Sequence, residues 1–205
     1  MTPWDQRAAR FLVKPFVSSP VTPNQLTILT LLVAVTGAGL LTTGDVRLAN
    51  WGAGLFALSR FLDHFDGELA RQKCMTSRLG YYLDYATGGL SYGALFACMG
   101  IGFHNGWLGD GAILLGLCAA AAAIGCVFLN VGIDRVTPSI NDAEGEAVGY
   151  PGFAGFELED GIYLLAPLTW LGWLEPFFIA AATGAVMYAA WTAWTLNLIE
   201  RRPSG

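Results

Sequence analysis

Three carboxylates stand out in this chain: Asp63, Asp66 and Asp84, within Asp63-His64-Phe65-Asp66-Gly67-Glu68-Leu69-Ala70-Arg71 and the segment after it. All three lie at the ends of strongly apolar segments. An ionisable group near lipid is costly unless it is paired, hydrated or bound to a metal, so its presence there points to a site. Asp63 and Asp66 are three residues apart and share one face of a helix. Asp84 follows a short polar turn and can reach the same point from the next helix. Three convergent carboxylate oxygens suit a hard cation, Mg2+ or Mn2+, and such ions suit phosphate chemistry. The plainer alternative is a set of helix-end carboxylates paired with Arg60, Arg71 and Arg78.

The surrounding composition says what must position these groups. Of 205 residues, 54% are hydrophobic and only 13% are charged, with a mean hydropathy of +0.49. Leu26–Leu41, Leu90–Phe103, Ala112–Val131 and Phe177–Leu198 carry almost no charge. A helix needs about 20 apolar residues to cross a bilayer core of about 30 Å. One such run fits a soluble core, but four do not, so the expected fold class is an all-α, polytopic membrane protein. No nucleic-acid partner is expected. No cleavable leader is expected in residues 1–17, where Asp5, Arg7, Arg10 and Lys14 interrupt the apolar residues. Cys74, Cys98, Cys118 and Cys126 form no CxxC pair and read as inert thiols.

Two parts are expected. Residues 1–20 alternate Trp4, Ala8, Phe11, Leu12 and Phe16 with Arg7, Arg10 and Lys14, the pattern of an amphipathic helix lying in the headgroup region. Residues 21–205 should form a six-span domain. The spans run from the Thr22-Pro23-Asn24 helix start to about Thr42, Leu48 to Ala70, Leu79 to Phe103, Ala112 to Val131, Glu159 to Trp173, and from Pro176 to near Ile199. Six spans place both termini beside the 71–78 and 132–157 loops. That side holds Arg7, Arg10, Lys14, Arg71, Lys73, Arg78, Arg135, Arg201 and Arg202, against Arg47 on the other. Lys and Arg accumulate on the cytoplasmic side, so the termini and the aspartates are expected there.

The motif itself resembles that of the CDP-alcohol phosphotransferase (CDP-alcohol phosphatidyltransferase) family, D-x2-D-G-x2-A-R-x8-G-x3-D-x3-D. Asp63, Asp66, Gly67, Ala70, Arg71, Gly80 and Asp84 stand at the required spacings. The resemblance implies transfer of a substituted phosphate from a CDP-linked lipid to an alcohol acceptor, with release of CMP. It implies a catalytic metal site at Asp63, Asp66 and Asp84, and a CDP pocket lined by Gly67, Ala70, Arg71 and Gly80. It also implies a homodimer, for which the glycine- and alanine-rich spans allow close helix contact.

One position departs from the pattern. The family's last aspartate falls at 88, where this chain has Gly88. In the family that carboxylate takes the proton from the attacking alcohol. The nearest substitutes expected on the same side are Glu157, Glu159 and Asp160, and Arg135 is a candidate to grip a phosphate on the acceptor. Gly88 leaves a second reading open, a non-catalytic relative that binds a CDP-lipid or metal for a regulatory or partner role. A membrane prenyltransferase ranks last, because it needs a second aspartate-rich segment. The acceptor stays open among glycerol phosphate, inositol or its phosphate, and serine.

Overall fold

The computed structural model describes residues 4–136 and 158–200, which are helical with short turns and contain no strand. The helices are α1 (Trp4–Leu12), α2 (Pro23–Leu40), α3 (Val46–Gln72), α4 (Arg78–Gly102), α5 (Gly111–Val136), α6 (Leu165–Trp170) and α7 (Leu174–Glu200). Local signals start the helices that carry the site. Thr22 caps α2 in a reciprocal box with Gln25, and Pro23 takes the first turn, where its missing N–H costs nothing. Asp45 caps α3 by accepting from the backbone N–H groups of Arg47 and Leu48 at 2.8 and 3.0 Å. Ser77 caps α4 through the Gly80 N–H at 3.0 Å.

The turn between α3 and α4 brings the third carboxylate back to the first two. Cys74 adopts φ +54°, in the left-handed region. The Met75 N–H then donates to the Ala70 carbonyl at 2.9 Å, closing the end of α3 as a Schellman-type cap closes a helix. Lys73 fastens the turn to the start of the bundle, donating to the carbonyls of Ser19 and Val21 at 2.7 Å each.

Glycines set how closely the helices approach. A Cβ on Gly37 would lie 2.8 Å from the Gly52 carbonyl oxygen, and one on Gly52 would lie 2.6 Å from that of Gly37. The α2–α3 pair therefore meets backbone to backbone. Gly100 and Gly116 do the same for α4 and α5. Phe56, Leu95, Met99, Leu165 and Phe178 fill the core between these pairs. Gly52→Leu should consequently separate α2 from α3 and lower thermal stability in detergent by several degrees, since overpacking costs about 1–3 kcal/mol. Gly54→Ala, where a Cβ would meet nothing within 4 Å, should hold or raise it. Similar melting curves for the two variants would show that close approach at Gly52 is not required.

One expectation is refined. The fifth span was expected from about Glu159 to Trp173, short and with a tilt or kink from Pro167; Leu158–Leu164 is a 3-10 segment, followed by the six residues of α6. Pro167 has no N–H for the preceding turn and its ring opposes a continuous helix there. Gly172, at φ +71°, ends the element. Its apolar part, Gly161–Trp170, would span only about 15 Å as an α-helix. At the N-terminus, Ala9 of α1 and Val13, just past its end, are buried with Phe65 and Leu69 of α3. Phe11 and Leu12 remain 70% and 50% exposed, and the Phe16 ring meets Phe65 edge-on, 5.4 Å between centroids.

Among the described residues, Pro23–Thr43, Gly111–Ile133 and Leu174–Leu198 are long and apolar enough to cross a membrane. The 27-residue α3 and 25-residue α4 have the length, but α3 also carries the charged residues from Asp63 to Arg71. The described residues are helical apart from turns, and their apolar helices make the chain an integral membrane protein.

Candidate metal and nucleotide site

Asp63 and Asp66 project from the C-terminal part of α3 and Asp84 from the second turn of α4. Each offers a carboxylate oxygen, and the three oxygens lie within 4.8 Å of one another. The sequence expectation that these residues converge is met, and His64 is not part of the group. Their surroundings differ. Asp63 is half-buried and accepts from Arg60 Nη1 at 3.0 Å. Asp84 is exposed, and Asp66 is only 3% exposed.

Asp66 is the most demanding of the three. The Thr27 hydroxyl, from α2, and the Gly67 backbone lie beside its carboxylate, although that hydroxyl donates to the Pro23 carbonyl at 3.2 Å. Its Oδ2 is buried with no hydrogen-bond donor. Like charges at about 4 Å repel by about 4 kcal/mol at an effective dielectric near 20, so ionised carboxylates gathered this closely disfavour one another. A divalent, oxygen-seeking cation supplies what this donor set lacks. The residues fit Mg2+ or Mn2+.

Beside the carboxylates lie surfaces without side chains. A Cβ on Gly67 would meet only Arg71 Nη1, at 3.8 Å, and one on Gly80 would touch Ser77 Oγ at 3.3 Å and Asn24 Oδ1 at 3.5 Å. Asn24, in the first turn of α2, therefore borders the same space. Arg71 is held by Glu68, whose Oε2 accepts from Arg71 Nε at 3.1 Å and forms an ion pair with Nη2 at 3.0 Å. That grip leaves Nη1 over Gly67. Glu68 is buried, and its other oxygen accepts from Gln72 Nε2 at 2.9 Å and faces Arg10 Nε at 3.4 Å.

Sequence reasoning passed over Thr27 and Glu68. The spacing of Glu68 to Arg71 and Gln72, three and four residues on, was an available sign of the clamp. Nothing in the apolar run of α2 distinguished Thr27.

Gly88, one turn after Asp84, lies on α4 in open space: a Cβ there would meet nothing within 4 Å. At Gly89 a Cβ would stand 2.3 Å from Val127 Cγ2 of α5. The vacancy at 88 is thus one of chemistry and not of room. Glu157 and the rest of 137–157 lie outside the described residues, as do the side chains of Arg135, Glu159 and Asp160.

The family's sequence profile, CDP-alcohol phosphatidyltransferase, matches residues 20–199. The chain belongs to this family. It is 43% identical over 72 residues to the bifunctional IPC transferase and DIPP synthase of Thermococcus kodakarensis, covering 35% of this chain and 16% of that protein. It is 24% identical over 170 residues to the Aquifex aeolicus protein of the same name, covering 83% of this chain and 37% of the relative. The chain therefore spans well under half the length of these curated relatives. The crystal structure of Mycobacterium tuberculosis phosphatidylinositol phosphate synthase with CDP-DAG bound superposes with a TM-score of 0.65 at 20% identity. The superposition covers 94% of this chain and 93% of that one, so the family fold extends over nearly the whole bundle.

Proposed function

We propose that this chain transfers a phosphatidyl-type group from a CDP-linked lipid to an alcohol acceptor, releasing CMP, in phospholipid synthesis. The observation that carries this reading is the trio of Asp63, Asp66 and Asp84 oxygens within 4.8 Å, beside the bare faces of Gly67 and Gly80. These three carboxylates would hold Mg2+ or Mn2+, which when bound neutralises the linked phosphates of the donor. Gly67 and Gly80 let the nucleotide approach the helix backbones, with Ala70 small enough not to obstruct it. Arg71 Nη1, held over Gly67 by Glu68, places a positive charge at the phosphates.

In the reaction, the alcohol oxygen bonds to the lipid-side phosphorus. The bond from that phosphorus to the bridging oxygen breaks, and CMP leaves with the electron pair. The proton of the alcohol goes to a base, which Gly88 does not supply. Glu157, Glu159 and Asp160 are the proposed substitutes. The reading further places α2 to α5, the 158–170 segment and α7 as six spans, with α1 in the headgroup region. Both termini and the aspartates face the cytoplasm, and the protein forms a homodimer. The excess of Lys and Arg on that side supports the orientation.

The test is CMP release from CDP-diacylglycerol with Mg2+ or Mn2+ across a panel of alcohols. Inositol phosphate comes first, because the structural neighbour is a phosphatidylinositol phosphate synthase; glycerol phosphate, inositol and serine follow. CMP should appear with at least one alcohol and disappear on chelation of the metal. Tight binding of the CDP-lipid without CMP from any alcohol would instead favour a binding relative without turnover. The side-chain-free position 88 is the observation that keeps that second reading in play.

A further inference from the structure

A second polar site lies on the other side of Arg71, between α1 and the end of α3. It is a cavity of about 580 Å³ bordered by Arg7, Arg10, Lys14 and Arg71, with Glu68 at its base and Phe11 on its rim. Four positive side chains thus line one concavity that holds a single carboxylate. That carboxylate already engages two of them, Arg10 at 3.4 Å and Arg71 at 3.0 Å. Among the described residues no carboxylate pairs with Arg7 or Lys14. Lys14 Nζ instead sits 5.3 Å from the centre of the Phe11 ring. Positive charge concentrated in a concavity and left uncompensated by the protein favours an anionic ligand.

We propose that this cavity is a phosphate-binding site for an anionic lipid headgroup, separate from the three-aspartate site. Arginine guanidinium groups present paired donors to phosphate oxygens, and lysine adds a point charge. Glu68 holds Arg10 and Arg71 through their Nε edges, so the outer guanidinium nitrogens of Arg10 stay available to the cavity. The rim argues for a lipid over a free phosphate: Phe11 and Leu12 are 70% and 50% exposed beside these cations. Apolar side chains flanking basic ones on one short helix suit acyl chains next to a charged headgroup. The site does not depend on the reaction proposed above, and its test needs no turnover.

The experiment measures retention of short-chain lipids on the detergent-solubilised full chain by native mass spectrometry. The probes are dioctanoyl phosphatidylglycerol, dioctanoyl phosphatidylcholine, sn-glycerol 3-phosphate and inorganic phosphate. Phosphatidylglycerol should bind saturably, more tightly than the zwitterionic lipid, and more weakly as salt rises. The double variant Arg7→Gln/Lys14→Gln removes two charges and leaves the Glu68 clamp intact. It should weaken phosphatidylglycerol binding by about thirtyfold. Because neither residue pairs with a described carboxylate, the melting temperature should stay at the wild-type value. Should the double variant fail to fold, Lys14→Gln alone and the salt dependence of the wild type carry the same test. Equally tight binding of the two soluble phosphates would keep the site and make its ligand water-soluble. Equal retention of the two lipids, or affinity unchanged in the variant, would overturn the proposal.

Discussion

Asp66→Asn should lower CMP release by about 10³-fold, the scale of several kcal/mol lost when a metal-held charge is no longer stabilised. The substitution keeps the shape of a side chain that is 3% exposed. It removes the charge, and it turns one oxygen into an NH2 donor at the position where Asp66 Oδ2 now meets no donor. The stability readout separates a metal ligand from a structural residue. Without metal, the asparagine variant should be as stable as the wild type or more so, because a buried carboxylate beside two others is an unfavourable arrangement. With Mn2+, the wild type should gain thermal stability through ligand linkage and the variant should gain little. A variant that melts at the wild-type temperature yet keeps the full Mn2+-induced rise would remove Asp66 from the metal site.

The parts of this site that could be read from sequence are those whose function demands fixed spacing. Asp63 and Asp66 three apart, then Asp84 beyond a polar turn, state a convergence that the helix repeat and one short connection bring about. The start of α2 was equally visible, since Thr22-Pro23-Asn24 marks a helix start by residue type alone. The parts that escaped depend on which helices become neighbours. Thr27 is one threonine among several in an apolar helix, and only the α2–α3 approach at Gly37 and Gly52 brings it to Asp66. Glu68 occupies a variable position of the motif, and its role appears once Arg10 arrives from α1. Close packing there uses Ala9 and Val13, small enough to let the helix lie against Phe65 and Leu69. The 158–170 segment divides into a 3-10 part and a short α part for a local reason already in the sequence: Pro167 opposes a continuous helix through it, and Gly172, at φ +71°, ends it.

Gly88→Asp should raise CMP release well above tenfold, within the about 10²–10⁴-fold that a placed general base contributes. The argument begins with room. A Cβ at 88 would touch nothing within 4 Å, whereas at 89 it would collide with Val127 at 2.3 Å. The side chain can therefore be added without moving α4 against α5. Replacing glycine inside a helix also removes a conformational-entropy penalty, although aspartate's modest helix propensity returns part of that gain. Direction follows next, because residue 88 stands four after Asp84 and shares its face of α4. A carboxylate there adds a fourth oxygen on the side of the aspartate cluster. Metal affinity should rise together with rate. Gly88→Asn, similar in size and uncharged, should reproduce neither gain, which ties the effect to the carboxylate and not to filling space. Rapid wild-type turnover that Gly88→Asp leaves unchanged or slows would mean that another group already takes the proton. Alanine at Glu157, Glu159 and Asp160, one at a time, would then identify it by the loss of that turnover. If both the wild type and Gly88→Asp bind CDP-lipid and metal but release no CMP with any alcohol, a carboxylate at 88 is not what the chain lacks, and a binding role replaces the catalytic one.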